Sequence, residues 1–174
     1  IDVRLVGSEM CIRDSDGSGS KPYLGSLAIE DDKIIYVGEN TSFEADTVID
    51  ATGKAVSPGF INMLSWGYYS LMDDGRGLSD LKQGVTLEIF GEGTSPGPYW
   101  EDGKFTSFGE AMSELEESGV SLNIASFLGA ATTRILEVGY ENRQANSSEM
   151  DRMRSHVENS MKEGAMGIGS SLIY

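Results

Sequence analysis

The spacing of hydrophobic residues changes near residue 57. Before that point, short apolar runs alternate with turn residues, which predicts a hairpin of residues 25–30 and 33–37 and a further strand at 47–50. After it, strand-like and helix-like segments alternate to the last residue. The pattern therefore predicts a small sheet or sandwich followed by an α/β region with a parallel sheet.

The α/β region begins at a Ser-Pro-Gly turn, and its four predicted strands are residues 60–64, 85–90, 122–128 and 165–172. The first of these strands reads as buried, because four of its five residues are apolar. Two helices are predicted between the later strands, since Ser107 with Glu110 and Asn146 with Glu149 have the spacing of capping boxes. A shorter helix is predicted at 78–83. Parallel strands joined by helices imply right-handed crossovers.

Composition excludes several classes of protein. The 174 residues carry a formal net charge of −15, so the chain lacks the clustered Lys and Arg that phosphate contacts need. No apolar run approaches the ~18–20 residues of a membrane-spanning helix. Cys11 and His156 are the single cysteine and histidine, which argues against a disulfide and against a metal site built mainly from thiolates or imidazoles. We expect neither nucleic acid nor a membrane as a partner.

Residues 1–15 show no clear period, and we leave them out of the fold prediction. The string VRLVGSEMCIRDS resembles a translated sequencing adapter, so we expect this stretch to be non-native and the natural N-terminus to be missing. The alternative is an irregular N-terminal strand. The apolar run before Gly7 is too short for a secretory signal. The compartment stays open between cytoplasm and periplasm.

Three stretches of the sequence carry a resemblance to a known family. They read DGSGS, SLAIEDDKIIYVG and VIDATGKAVSPGFIN, and together they resemble the opening of amidohydrolase-superfamily enzymes, above all the N-acyl-D-amino-acid deacylases, or D-aminoacylases. The resemblance implies that residues 16–56 form part of a β-sandwich, the urease-like composite domain. It also implies that residues 57–174 form the first half of a (β/α)8 metal-dependent hydrolase barrel, which takes about 250 residues when complete. The closing GAMGIGSSLIY resembles a mid-barrel segment, so we expect an N-terminal fragment.

The resemblance implies a metal site that this sequence does not complete. The family carries His-x-His at the end of the first barrel strand, and the two histidine positions are Leu64 and Trp66 here. Asn62 replaces the family's aspartate. Neither leucine nor tryptophan can bind a metal ion, so half of a binuclear site is missing. Two interpretations stay open, of which we favour the first: a subfamily that works with one metal, or a barrel that has lost catalysis.

The loop after the second barrel strand offers one candidate ligand. In zinc D-aminoacylases this loop carries a cysteine ligand, and the matching residue here is Gly93. The adjacent Glu92 is the local candidate for a zinc ligand, although an ordinary exposed loop glutamate is the stronger interpretation. Glu88, inside the strand, is a weaker candidate because a buried carboxylate needs a partner. A third histidine position, in the loop Leu128-Gly129-Ala130-Ala131, is also empty.

The resemblance also implies residues on the substrate side. Ser170, Ser171 and Tyr174 match the segment that lines the pocket in the family. Residues 132–134 follow the third loop and could touch substrate, but a structural role is the stronger interpretation. His156 lies inside the second capped helix, where we expect a surface or boundary residue and not a ligand. The imidazole ligands and the general-base aspartate are expected beyond the last residue, so no catalytic residue is assigned.

The function implied by the resemblance is hydrolysis of a C–N amide bond, with small N-acyl-D-amino acids as substrates. The full enzyme would use a zinc-activated hydroxide, with one zinc ion favoured over two. We expect this chain alone to bind zinc weakly and to be inactive. The alternative is a non-catalytic α/β binding module whose metal motifs have decayed. A doubly wound nucleotide domain ranks last, because no phosphate-cradling glycine pattern is present. The oligomeric state stays open.

Overall fold

A computed structural model of the chain describes residues 3–6, 13–14, 18–19, 21, 23–39 and 44–171. The chain divides into two compact units, Ile1–Pro58 and Gly59–Tyr174. Tyr174 and most of the first fifteen residues lie outside the described residues, so the predictions made for them stay predictions. Within the described part of the chain, no helix is long and apolar enough to span a bilayer.

The first unit is built from strands. In the described residues these are β1 Val3–Val6, β2 Arg13–Asp14, β3 Ser26–Glu30, β4 Lys33–Gly38, β5 Thr47–Asp50 and β6 Ala55–Val56. Four of them form a sheet in the order β4-β3-β1-β5, in which β1 is antiparallel to β3 and parallel to β5. The remaining two, β2 and β6, form a parallel pair.

The predicted hairpin is confirmed as β3 and β4, which pair in antiparallel register from Ser26 opposite Gly38. Its turn contains Asp31 at φ +55°, a left-handed conformation that aspartate tolerates better than most residues. Leaving residues 1–15 out of the fold prediction was wrong for residues 3–6, because β1 pairs with a strand on each side. Whether that stretch is native stays a prediction.

The second unit alternates strands and helices. In the described residues these are β7 Phe60–Asn62, α1 Tyr68–Asp73, α2 Leu78–Leu81, β8 Val85–Phe90, β9 Tyr99–Glu101, β10 Lys104–Thr106, α3 Phe108–Ser118, β11 Asn123–Ser126, β12 Leu128–Gly129, α4 Ala130–Val138, α5 Ser147–Lys162 and β13 Ile168–Gly169.

The predicted parallel pairing of the second unit is confirmed. β8 lies between β7 and β11 and is parallel to both, and β12 is parallel to β13. Phe127 joins β11 to β12, and its backbone N–H donates to the carbonyl of Phe90 at 2.9 Å. The strands therefore lie side by side in chain order, with their carboxyl ends at one edge. This arrangement brings the four strand-end loops together.

Both predicted capping boxes are present. At the start of α3, the backbone N–H of Glu110 donates to Ser107 Oγ at 3.2 Å, and the N–H of Ser107 donates back to Glu110 Oε2 at 2.8 Å. At the start of α5, Asn146 and Glu149 exchange the same two bonds at 2.9 and 2.8 Å. These reciprocal bonds satisfy backbone donors that a helix terminus leaves open, so both helices begin where the sequence predicts.

The core of the second unit lies between the sheet and two helices. Leu71 of α1, Phe90 of β8 and Leu115 of α3 form a buried cluster against which Tyr68 and Ile124 pack. The apolar positions of α3 recur at helical spacing, so one face of the helix is buried and the other is exposed.

The first barrel strand differs from its prediction. β7 ends at Asn62, whose side-chain oxygen accepts a hydrogen bond from the N–H of Leu64 at 3.3 Å and so turns the chain out of the strand. The strand is also not buried: Phe60 is 59% exposed and Ile61 54% exposed. Within the described residues, β7 is an edge strand paired only with β8.

In the second unit, two helices and one hairpin were not predicted from the sequence. Helix α4 begins directly after β12, and its N-cap is Gly129, which makes no side-chain capping bond. Helix α1 likewise begins at a glycine, Gly67. The β9–β10 hairpin turns at Asp102, which adopts φ +48°. None of these elements carries the capping signal by which α3 and α5 were recognised.

Candidate functional site

At the carboxyl ends of the parallel strands, the backbones of neighbouring loops and strand ends lie in close contact. A Cβ atom on Gly129, at the end of β12, would collide with the backbone of Gly93 and Thr94. A Cβ atom on Gly169, at the end of β13, would collide with the carbonyl of Gly91. The N–H of Ala131 donates to the carbonyl of Gly93 at 2.8 Å. Glycine at these positions therefore allows the loop after β8 to lie directly against the two neighbouring strand ends.

A cavity of about 400 Å³ opens at this edge of the sheet, and we call it the Trp66 cavity. It brings together Trp66, which occupies a family histidine position, Gly93, which occupies the family cysteine position, and Ser171 from the predicted substrate segment. The remaining lining residues are Thr94, Ala131, Arg134, Ile135, Gly139, Tyr140 and Glu141. Three positions named from the sequence are thus neighbours in space, on loops that follow three different strands.

Leu64, the other family histidine position, does not line the Trp66 cavity. It lines a second cavity of about 550 Å³, together with Asn62, Asp80 and Glu88. Asn62 Nδ2 donates to Asp80 Oδ1 at 3.4 Å there. Trp66 lines this second cavity as well, so the two positions of the family's His-x-His motif share it, and of the two only Trp66 also lines the Trp66 cavity.

Glu88 has the partner that a buried carboxylate needs. Its side chain is 2% exposed, and its Oε2 accepts a hydrogen bond from Ser65 Oγ at 2.5 Å. Ser65 Oγ in turn accepts from the N–H of Gly67 at 3.1 Å, and the N–H of Ser65 donates to the carbonyl of Ile89 at 2.9 Å. These bonds tie the loop that carries Trp66 to strand β8. Sequence reasoning foresaw the need for a partner but did not identify Ser65.

Glu92 is half-buried in the loop after β8 and does not line the Trp66 cavity. No hydrogen bond or ion pair holds its carboxylate among the residues that the structure describes. Within the same residues, no group of three or more His, Cys, Asp or Glu side chains could hold a metal ion. The structure therefore does not bring Glu92 together with further ligands.

Residues 132–134 hold the loops around the cavity. Thr132 Oγ1 accepts a hydrogen bond from the N–H of Ser95 at 2.8 Å, which fixes the loop after β8 against α4. Arg134 Nη2 donates to the carbonyl oxygens of Glu141 and Arg143 at 2.7 and 2.9 Å. These bonds fit the structural role favoured from the sequence. Arg134 additionally lines the Trp66 cavity, so the substrate contact that the sequence left open for residues 132–134 stays open for Arg134.

The substrate segment is only partly brought to the cavity. Ser171 lines it, and a Cβ atom on Gly93 would lie 3.5 Å from Ser171 Cβ. Ser170 is exposed and does not line it. Tyr174 lies outside the described residues. Successive residues of an extended chain point to opposite sides, which explains why neighbouring serines differ.

Tyr68 borders a small cavity of about 210 Å³ next to the Trp66 cavity, and Trp66 itself lines both. Burial, followed by the nearby Tyr99 and the negative charge of Glu114, raises the pKa of Tyr68 to about 12. The phenol is therefore protonated at neutral pH.

His156 lies away from the strand ends, as predicted. On α5 its Nε2 is 2.7 Å from Glu137 Oε1 on α4, and its ring packs 5.9 Å from that of Phe105. Glu137 is also paired with Arg152. Burial acts to raise the pKa of Glu137, but the hydrogen bonds from Arg152 and His156 outweigh it, so the pKa lies below its ordinary value. The histidine thus belongs to the α4–α5 interface.

Solved structures show the class of fold to which this arrangement corresponds. D-aminoacylase, a structure described as defining a novel subset of amidohydrolases, matches 99% of this chain with a TM-score of 0.87 at 24% identity, and the match covers 39% of that chain. N-acyl-D-glutamate deacylase from Bordetella bronchiseptica, solved with zinc and a phosphonate inhibitor, matches 99% with a TM-score of 0.85 at 22% identity, again over 39% of its length. The chain therefore has the mixed α/β fold of the amidohydrolases.

Sequence comparison points to the same group of enzymes. N-acyl-D-aspartate deacylase of Alcaligenes xylosoxydans xylosoxydans is 26% identical over 174 aligned residues, which cover 91% of this chain and 35% of the relative. No protein-family model matches the chain. The resemblance inferred from the sequence is confirmed: the relatives that match most of this chain are N-acyl-D-amino-acid deacylases, and D-aminoacylase and N-acyl-D-glutamate deacylase are among its structural neighbours. The chain spans just over a third of their length.

Proposed function

We propose that this chain is part of a metal-dependent amidohydrolase that cleaves the C–N amide bond of N-acyl-D-amino acids. The observation that carries the proposal is the relationship to N-acyl-D-aspartate deacylase, which extends over 91% of the chain. The convergence of Trp66, Gly93 and Ser171 on one cavity supports it, because (β/α)8 barrel enzymes place their active-site groups at the carboxyl ends of the strands.

The proposal includes a finer architecture than the mixed α/β fold. We infer that residues 57–174 are the first half of a (β/α)8 barrel and that residues 16–56 are part of a β-sandwich. The exposure of Phe60 and Ile61, which lie on opposite faces of β7, supports the barrel. A bare apolar edge strand is an aggregation hazard, and further strands and helices of a barrel would cover it.

The described residues of this chain do not fit zinc by themselves. Leucine, tryptophan and glycine stand at Leu64, Trp66 and Gly93, and none of these side chains can donate a lone pair to the ion. We therefore propose that the zinc ligands, for one ion in preference to two, come from later strands of a longer protein. Glu92 is the single local candidate. Ser170, Ser171 and Tyr174 are the proposed substrate-side residues.

The alternative, a non-catalytic α/β binding module, is not favoured. The loss of four family positions, three of histidine and one of cysteine, is what would support it. The relatives that match most of the chain, however, are named as deacylases, so a catalytic parent protein is the simpler account.

The test compares two proteins, each loaded with zinc. One is the 174-residue chain, and the other is a longer protein encoded by the same gene that continues beyond Tyr174. Release of free amino acid is measured from N-acetyl-D-leucine, N-acetyl-D-aspartate and their L enantiomers. We expect the longer protein to hydrolyse D substrates in preference to L substrates and the 174-residue chain to release none. Absence of hydrolysis by the zinc-loaded longer protein would refute the proposed function, and hydrolysis by the short chain would refute its inactivity.

A further inference from the structure

A buried carboxylate lines the second cavity, which we call the Glu88 cavity, and its charge has no cationic partner. Ser65 Oγ donates to Glu88 Oε2 at 2.5 Å, but a hydroxyl is neutral, so this bond satisfies one oxygen without compensating the charge. Among the residues that the structure describes, Oε1 accepts no hydrogen bond and no basic side chain pairs with Glu88. Because a buried carboxylate is costly without a paired charge, a cation from outside the chain would stabilise it.

The wall of the Glu88 cavity carries further negative charge. Asp74 and Asp80 line it, and its described lining residues include no Lys, Arg or His. Asp74 is engaged, since Arg76 donates to both of its carboxylate oxygens at 2.8 Å. In the described part of the chain, Asp80 accepts only from a serine hydroxyl at 2.9 Å and from Asn62 Nδ2 at 3.4 Å. Asn62 is also the ladder neighbour of Glu88, so it brings the two uncompensated carboxylates together.

The Glu88 cavity lies on the helix side of the sheet. Glu88 and Phe90 are two residues apart on β8 and so point to the same face, and Phe90 packs against Leu71 of α1. Residues of α1 and α2 line the cavity, whereas the strand-end Gly93 does not. The Glu88 cavity is therefore distinct from the Trp66 cavity, although Trp66 lines both.

Apolar side chains complete the wall of the cavity. Leu64, Trp66 and Leu78 line it, and all three are exposed, so they present hydrocarbon and an indole ring to a ligand. The volume of about 550 Å³ lies in the range of ~300–1,000 Å³ that is usual for small-molecule sites. A tryptophan ring also attracts organic cations. This lining suits a small molecule that carries a positive charge on a hydrocarbon group.

We propose that the Glu88 cavity binds an alkyl amine in its ammonium form, with the charge on Glu88 and Asp80 and the hydrocarbon against Leu64 and Trp66. An ammonium group has three donors, which the carboxylate oxygens accept. The cavity disfavours amino acids, because their carboxylate would lie beside like charges with no basic side chain to pair with. The amine site does not rest on the proposed function, since Glu88 and Asp80 lie outside the Trp66 cavity.

The experiment titrates the 174-residue chain at neutral pH with isopentylamine, isopentanol and L-leucine. The alcohol replaces the ammonium group with a neutral hydroxyl, and leucine adds a carboxylate to the amine. Trp66 and Trp100 are the two tryptophans, so a Trp100→Phe background makes Trp66 fluorescence a reporter of binding. We expect the amine to bind about tenfold or more tightly than the alcohol or leucine, because hydrogen bonds between charged groups are the stronger ones.

Glu88→Gln and Asp80→Asn locate the bound amine, because each removes a charge and nearly keeps the shape of the side chain. Each should weaken amine binding about tenfold or more and leave binding of the alcohol unchanged. Glu117→Gln is the matched control for general attraction of an amine to a chain of net charge −15, since Glu117 is an exposed glutamate of α3. It should leave all three affinities unchanged. Circular dichroism checks that each variant folds, and Asp80→Asn decides the matter if Glu88→Gln does not.

Three results would overturn the amine site. The first is equal binding of isopentylamine and isopentanol, or no saturable response to the amine, because the carboxylates would then contribute nothing. The second is leucine binding as tightly as the amine. The third is an equal loss of amine affinity in Asp80→Asn and Glu117→Gln, which would reduce the effect to attraction by the acidic surface.

Discussion

The carboxylate of Glu88 and the hydroxyl of Ser65 lie 2.5 Å apart, although 23 residues separate them in the sequence. Glu88 belongs to strand β8, and Ser65 stands between the two residues that occupy the family's histidine positions, Leu64 and Trp66. The bond therefore attaches the loop after β7 to the neighbouring strand. It thereby holds the loop of Trp66, which lines the Trp66 cavity and also the cavity that Leu64 lines.

Ser65→Ala should lower the free energy of unfolding by about 1–3 kcal/mol, because it leaves the 2%-exposed carboxylate of Glu88 without its described partner. Urea unfolding followed by circular dichroism measures the change. Ser79→Ala is the control: its hydroxyl is exposed and donates to Asp80 at 2.9 Å, so we expect a change within about 0.5 kcal/mol. Equal effects of the two substitutions would contradict the importance of the Ser65–Glu88 bond.

Glu149 should make the stability of the chain depend on acid pH. The hydrogen bond from Arg143, followed by that from the backbone N–H of Asn146, lowers the pKa of Glu149 from 4.5 to about 2. A lowered folded-state pKa stabilises the chain above the unfolded-state value, and the contribution disappears as pH falls from about 4.5 toward about 2. The melting temperature of Glu149→Gln should therefore change less with pH across that window.

The control for this pH series is Glu117→Gln, an exposed glutamate of α3 for which the structure gives no hydrogen bond among the described residues. Its melting temperature should follow that of the parent chain at every pH. If Glu149→Gln keeps the full acid dependence of the parent, the capping carboxylate is not the group responsible.

Gly129→Ala should destabilise the second unit by about 1–3 kcal/mol, the usual cost of forcing an extra methyl group into filled space. The backbone at Gly129, φ −69° and ψ 126°, is open to any residue, so the cost arises from collision with Gly93 and Thr94. In Gly109→Ala the new Cβ would lie 3.2 Å from Glu163 Cβ, a contact that a small shift relieves, so we expect a much smaller loss than for Gly129→Ala. Thermal unfolding distinguishes them, and similar melting temperatures would show that the strand ends can separate.

Much of the fold follows from local signals in the sequence. The α3 and α5 helices begin at capping boxes, and β8 spans the predicted residues because an apolar run is bounded by glycines. Helix α4 has no such signal, since it begins at Gly129 on a strand end. The burial of β7 was predicted from its apolar residues, but burial depends on what covers a strand, and composition alone does not contain that information.

The sequence predicted which residues lie on the strand-end loops of the candidate site, but it did not predict the bonds that fix those loops. The resemblance to deacylases placed Trp66, Gly93 and Ser171 on strand-end loops, and the structure gathers them at one cavity. The attachment of the loop that carries Leu64 and Trp66 to β8 follows from the bonds of Ser65, which no spacing reveals. Arg134 was given a structural role because its cavity exposure depends on how the loop after α4 folds back to accept its hydrogen bonds.

The zinc content of the 174-residue chain tests the central claim most directly. The claim is that this chain has the deacylase fold while its own residues do not complete a metal site. Zinc bound per chain is measured by elemental mass spectrometry after equilibrium dialysis, for the parent chain and for Glu92→Gln. The account predicts far less than one zinc ion per chain, with the same zinc content in the parent chain and in Glu92→Gln. One tightly held zinc per chain, lost in Glu92→Gln, would contradict it.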